Sequence, residues 1–243
     1  MKKRLISLLL VLLLVASLSV TASAQNVQFK TASHTMRISY YEDDGILSML
    51  QGTINLGDGS SEPAWLIIMD GADTPNLFQV NNYMAYFLSS LSLSTNYFRM
   101  TREAILNAVP KGSKLIFAGH SLGGMTAQQL AADNTIKKNY EVVNIVAYGS
   151  PLVVTSGREG SLHRLADRSD PIPLVGIAGL CNTKKYISFG DGSYGMNLYR
   201  AHYESYRRED VWGCYDVLGV KNGSAVFTAD LNDIISFDLR LSK

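Results

Sequence analysis

Residues 114–132 read KLIFAGHSLGGMTAQQLAA. Leu115 to Ala118 form a short continuous apolar run, the pattern of a strand buried on both faces. From Leu122 onward the apolar spacing changes to helical period, so a strand leads into a helix with one hydroxyl, Ser121, at the junction. A G-x-S-x-G pattern alone is weak evidence in a chain with 20 glycines. Its setting is more informative: a serine on a sharp strand-to-helix turn is exposed at the carboxyl end of a sheet. Gly119 and Gly123 remove the side chains that would collide there. The helix N-terminus beside the hydroxyl favours a developing oxyanion, with the Leu122 amide as the first donor.

Outward from this junction, apolar runs alternate with helical segments. Residues 65–69 and 142–148 read as strands, and residues 81–93, 99–109 and 122–132 as helices. That alternation predicts an α/β fold with a mostly parallel central sheet and helices on both faces. NLGDGSSEP (residues 55–63) and SFGDGSYG (residues 188–195) read as loops inside one domain. VLGVKNGSAVF (residues 217–227) reads as a hairpin turning at Asn222 and Gly223, since both tolerate positive φ. Asn-Gly-Ser is formally a glycosylation acceptor as well, but the turn is the preferred reading.

The chain opens MKKRLISLLLVLLLVASLSVTASA, a basic start, an apolar run and a small-residue triplet. This predicts a secretory signal over residues 1–24, cut before Gln25, ahead of a single catalytic domain over residues 25–243. The apolar run is short of the roughly 20 residues a spanning helix needs, so no integral span is expected after cleavage. Of 22 basic and 21 acidic residues, three basic ones leave with the signal. The exported chain is then mildly acidic, which argues against nucleic acid as a partner. Export also favours pairing of the two cysteines, Cys181 and Cys214, against two buried thiols.

A serine needs a base, and the base an orienting acid. The chain has four histidines. In this architecture the order is Ser, Asp, His, which removes His34. His120, beside the serine, points away from it and reads as packing. His163 lies in SLHRLAD, an alternating strand pattern, and reads as structural. His202, late in the chain, remains. Asp170 and Asp167 both qualify as the acid, with Asp191 a weaker third. Asp170 is preferred because Pro171 and Pro173 end the strand and fix a loop there. No H-E-x-x-H or Cys-x-x-Cys pattern occurs, so neither metal nor cofactor is expected. The acidic run YEDDG (residues 41–45) reads as a solvated turn in preference to a calcium site.

Taken together, GHSLGG, YGSP at residues 148–151, RSDPIP at residues 168–173 and the late His202 resemble the class 3 lipase family. That family has the α/β-hydrolase fold and includes triacylglycerol lipases, phospholipases and feruloyl esterases. The resemblance implies Ser121 as nucleophile, Asp170 as orienting acid and His202 as general base and acid. It also implies a second oxyanion donor after the strand preceding the elbow, usually in an Arg-Gly-Thr segment. Here WLIIMDGAD puts Asp70, Gly71 and Ala72 in that place, a departure that leaves the Ala72 amide as the donor. A helical lid commonly follows, and PNLFQVNNYMAYFLSSL (residues 75–91) stands in its position, although a core-packing amphipathic helix is the preferred reading of such an aromatic face. The implied activity is a secreted or periplasmic serine carboxylester hydrolase, foremost a triacylglycerol lipase or esterase acting through an acyl-enzyme on lipid or another ester, with transient lipid-interface contact. A feruloyl or acetyl esterase, a phospholipase and a non-catalytic binding protein of the same fold are the alternatives.

Overall fold

The computed structural model describes residues 25–39, 46–71, 83–154, 156–174 and 185–239. The signal segment, the YEDDG turn, Ala72, the first part of the lid candidate and Cys181 lie outside these residues; Cys214 is exposed.

Among the described residues, nine strands make one sheet. In chain order they are β1 (Asn26–Phe29), β2 (Ile46–Asn55), β3 (Ser61–Met69), β4 (Lys114–His120), β5 (Glu141–Tyr148), β6 (Ser161–Asp167), β7 (Ile187–Gly190), β8 (Val226–Asp230) and β9 (Ile235–Asp238). Across the sheet the order is β1-β8-β2-β3-β4-β5-β6-β7, with β9 beside β2. The strands β3 to β7 run parallel. On the other side β1, β8, β2, β3 and β9 pair antiparallel. The fold is therefore α/β, with a parallel region that carries the strand-to-helix junction and an antiparallel flank.

Alternation along the central strands divides the core in two. Trp65, Ile67, Met69, Leu115 and Phe117 face helices α2 (Tyr83–Ala108) and α3 (Leu122–Ala132). Leu66, Ile68, Ile116, Ala118 and Tyr148 face the opposite side. There they meet Met36 of α1 (Ala32–Ser39), Tyr206 of the 3₁₀ turn Ser205–Arg207, and Trp212 of α6 (Glu209–Trp212). Two short helices complete the described set, α4 (Asn134–Asn139) and α5 (Leu198–Tyr203). Covering both faces is what allows continuous apolar strands, each fully buried aliphatic side chain contributing about 1.5–3 kcal/mol. Among the described residues, no helix is long and apolar enough to cross a membrane.

Three expectations from the sequence change. The helices expected at 81–93 and 99–109 are one 26-residue helix, α2. The polar residues between them include neither Pro nor Gly, so nothing stops the helix, and Tyr97 and Ile105 bury its later half. SFGDGSYG does not begin as a loop, because Ser188 to Gly190 belong to β7, paired parallel with β6. Likewise Asn55 belongs to β2 and Ser61 to Pro63 to β3, and only residues 56–60 between them turn, through Gly57 and Gly59 at φ 84° and 89°.

The hairpin expected at Asn222 is also absent. Asn222 does take positive φ, 54°, but only an isolated Tyr215–Lys221 bridge forms. The carboxylate of Asp216 gathers the loop instead. Its Oδ1 accepts the Leu218 and Val220 amides and its Oδ2 the Ala225 amide, each at 3.0 Å. Those amides are thus drawn into a loop, and strand pairing resumes only with β8.

Candidate active site

Ser121 lies between the end of β4 and the start of α3 with φ 51° and ψ −115°. A non-glycine residue pays a conformational cost there, so the surrounding contacts must hold it. The Ser121 amide donates to the Tyr148 carbonyl at 2.9 Å, tying the turn to the end of β5. A Cβ on Gly119 would stand 2.4 Å from the Gly123 carbonyl carbon, and one on Gly123 would stand 2.2 Å from the Met69 carbonyl oxygen. Strand, turn and helix thus pack closer than any side chain permits. This is the steric reason for the glycines in GHSLGG.

His202 comes from α5, whose start is capped by Asn197 accepting the Arg200 amide at 3.2 Å. Its imidazole is fully buried. Nδ1 lies 2.9 Å from Asp170 Oδ2. With a carboxylate accepting there, Nδ1 carries the hydrogen and Nε2 is left bare. Nε2 lies 3.1 Å from Ser121 Oγ, which donates to it.

Asp170 follows β6 in a turn made by its own groups. Its amide donates to the Asp167 carbonyl at 3.0 Å, and its Oδ1 accepts the Ile172 amide at 3.0 Å. Arg164 braces the same loop from within the sheet, donating to the carbonyls of Ser150 at 2.8 Å and Pro173 at 2.5 Å. Asp170 Oδ2 accepts a second donor, the Tyr206 hydroxyl, at 2.6 Å. Burial, then the Asp170 charge, pushes the Tyr206 phenol well above its ordinary range, so it remains a protonated donor.

The structure brings Ser121, His202 and Asp170 into one hydrogen-bonded chain. Asp167 is turned elsewhere: its carboxylate accepts Ser205 Oγ at 2.6 Å and the amides of Gly192 and Ser169, both at 2.8 Å. His34 faces Glu209 at 3.5 Å. His163 stands in β6, its pKa pushed down by burial and partly restored by Asp216.

His120 is fully buried, and its Nε2 lies 2.9 Å from the His202 carbonyl oxygen. Burial, then the neighbouring His202 and Arg207, hold its pKa well below the ordinary 6.5, so it is neutral.

Leu122 occupies the first turn of α3, where amides have no acceptor within the helix. At the end of β3, Asp70 is 1% exposed and its Oδ1 accepts the Gly71 amide at 2.7 Å. Gly71 closes over the turn: a Cβ there would lie 3.1 Å from both Ser121 Cβ and His120 Nδ1. The Gly71 amide is thereby engaged, and Ala72, the residue after it, is outside the described set. Tyr97 from α2 stands near this carboxylate, its phenol pushed up by burial and then by the Asp70 charge.

Tyr206 is the residue the sequence reading missed. It lies in the 3₁₀ turn Ser205–Arg207, past the end of α5 at Tyr203, so no helical spacing in the sequence linked it to His202.

The family model described as Lipase (class 3) matches residues 63–175. No curated protein and no solved structure matches the chain.

Proposed function

Over residues 63–175 the chain belongs to the class 3 lipase family, and from that premise we propose that it is an exported serine carboxylester hydrolase, a lipase or esterase working through an acyl-enzyme. One observation carries the reading. A serine at positive φ lies 3.1 Å from a histidine whose other nitrogen lies 2.9 Å from a buried carboxylate.

In this reading Ser121 Oγ attacks the ester carbonyl while His202 Nε2 takes its proton. Asp170, already accepting from Nδ1, stabilises the imidazolium that forms. Charge developing on the carbonyl oxygen is met by the Leu122 amide at the positive end of α3 and by the Ala72 amide. His202 then returns the proton to the leaving alcohol. A water activated by the same nitrogen releases the acid.

Substrate is a lipid or other carboxylic ester. Export rests on the basic and apolar character of residues 1–24.

The test is turnover of p-nitrophenyl butyrate and of an emulsified triacylglycerol by the wild-type protein and by Ser121→Ala. The wild-type protein should hydrolyse both, and the variant should fold and lose activity by several orders of magnitude. Equal activity of the two proteins would remove Ser121 from the mechanism.

A further inference from the structure

We propose that His120 is a positioning residue for His202: it holds the main chain of that histidine and keeps its ring in line between Ser121 and Asp170. The inference rests on the hydrolase reading above and assigns work to a side chain that reading leaves unused.

The geometry supports it from three sides. First, the partner of His120 Nε2 is a carbonyl, which can only accept, so Nε2 carries the hydrogen and donates at 2.9 Å. That carbonyl belongs to His202, in the last turn of a six-residue helix. Terminal carbonyls of a helix lack intrahelical donors, and so short a helix is marginal alone. His120 supplies a donor and fastens the helix where its functional side chain is attached.

Second, the two imidazoles lie against one another, with ring centroids 4.6 Å apart. Tyr203 and Tyr206 stand around His120 at 5.8 Å and 5.6 Å. The His202 ring therefore has His120 alongside it, with Asp170 at one nitrogen and Ser121 at the other.

Third, His120 is itself fully buried. It is the last residue of β4, adjacent in sequence to Ser121, and Gly71 packs close against both, a Cβ there standing 3.1 Å from His120 Nδ1 and from Ser121 Cβ. The serine and the group that anchors its partner histidine are thus consecutive residues, one ending β4 and the other making the turn into α3. The Ser121–His202 separation is set within a single rigid unit, which matters because a displacement of about 1 Å at a reacting pair costs on the order of 100-fold in rate.

Neutrality is part of the device. Burial, His202 and Arg207 all disfavour a proton on His120. A neutral ring beside His202 also adds no repulsion when His202 becomes an imidazolium.

The test compares His120→Leu, which keeps bulk without a donor, with His120→Gln, whose amide presents a donor near the position of Nε2. Two readouts are taken on folded protein well below its melting temperature. One is kcat and KM on p-nitrophenyl butyrate. The other is the downfield proton resonance of His202 Nδ1–H, assigned by its disappearance in Asp170→Asn. The leucine variant should lose about 10- to 100-fold in kcat, with KM little changed and the resonance broadened. The glutamine variant should recover most of both. If His120→Leu does not fold, His120→Asn, whose amide is too short to reach the carbonyl, takes its place in the comparison. A donor-free variant with wild-type kcat and an unchanged resonance would overturn the inference, as would a glutamine variant no better than leucine. A wild-type protein that shows the resonance but no turnover would count against the hydrolase reading alone, since positioning is still read from the spectrum.

Discussion

Tyr206 donates its hydroxyl to Asp170 Oδ2 at 2.6 Å, on the same oxygen that faces His202 Nδ1. That hydroxyl also accepts the Asp167 amide at 3.1 Å. One phenol therefore fixes both the carboxylate and the end of the strand that carries it. Tyr206→Phe keeps the ring and removes both bonds. Stability should fall by about 1–3 kcal/mol in denaturant unfolding, and kcat by roughly 3- to 30-fold with KM little changed, as a loss of orientation at the reacting groups predicts. Unchanged stability and unchanged kcat would show that Asp170 needs no such support.

The two aspartates that the sequence left in competition separate by role. Asp170→Asn replaces the acceptor facing His202 Nδ1 with an amide that favours the wrong tautomer, and kcat should fall by about 10,000-fold. Asp167→Asn leaves His202 untouched and disturbs the contacts to Ser205, Gly192 and Ser169. It should lower the melting temperature while kcat stays within about 10-fold. Steady-state kinetics and thermal melts on both variants check this, and the reverse ranking of kcat would exchange the assignments.

Gly123→Ala tests the packing beneath the serine. The added methyl would stand 2.2 Å from the Met69 carbonyl oxygen, which is backbone and cannot rotate away. Strand β3 and helix α3 must separate, at a cost of about 1–3 kcal/mol, and the Ser121 turn moves with them. Loss of both stability and ester turnover is expected. An active variant of wild-type stability would mean the elbow has more room than its geometry allows.

Acid sensitivity follows from His120. Folded chain keeps this imidazole neutral, whereas unfolded chain binds a proton below the ordinary 6.5. The unfolded state therefore holds more protons in that window, and stability rises with pH across it. The contribution is whole above the ordinary value and drains as pH falls below it. His163, also depressed by burial, adds with the same sign. Melting temperatures of His120→Gln should decline less steeply from about pH 7 to about pH 5 than those of the wild type. Equal slopes would show that His120 is not a source of the acid loss.

The elbow was legible in the sequence because its requirements are local. Gly119 and Gly123 are demanded by contacts within one strand-turn-helix unit, and the apolar run at Leu115 and the helical spacing after Leu122 mark that unit unambiguously. Asp170 was legible through its neighbours Pro171 and Pro173, which shape the loop that carries it. The antiparallel flank was not, since β1, β8 and β9 are short and exist through pairing with segments distant in sequence, β8 and β9 with β2 and β1 with β8. The loop at Asn222 misled for a related reason: Asn-Gly suits a hairpin, but the carboxylate of Asp216 claimed the amides. His120 was read as packing and is indeed fully buried. What the sequence did not reveal is the surface it packs on, because that depends on where α5 returns to the sheet. Tyr206 was hidden by the same return.

In the proposed mechanism Ser121 is a nucleophile activated by His202 and Asp170. Labelling with a fluorophosphonate probe, followed by mass spectrometric mapping of the modified peptide, tests it directly. A single adduct is expected on Ser121 in the wild-type protein and none in Ser121→Ala, with labelling slowed by at least about 100-fold in His202→Ala. Wild-type protein that leaves Ser121 unlabelled, or a His202→Ala variant that labels at the wild-type rate, would contradict it.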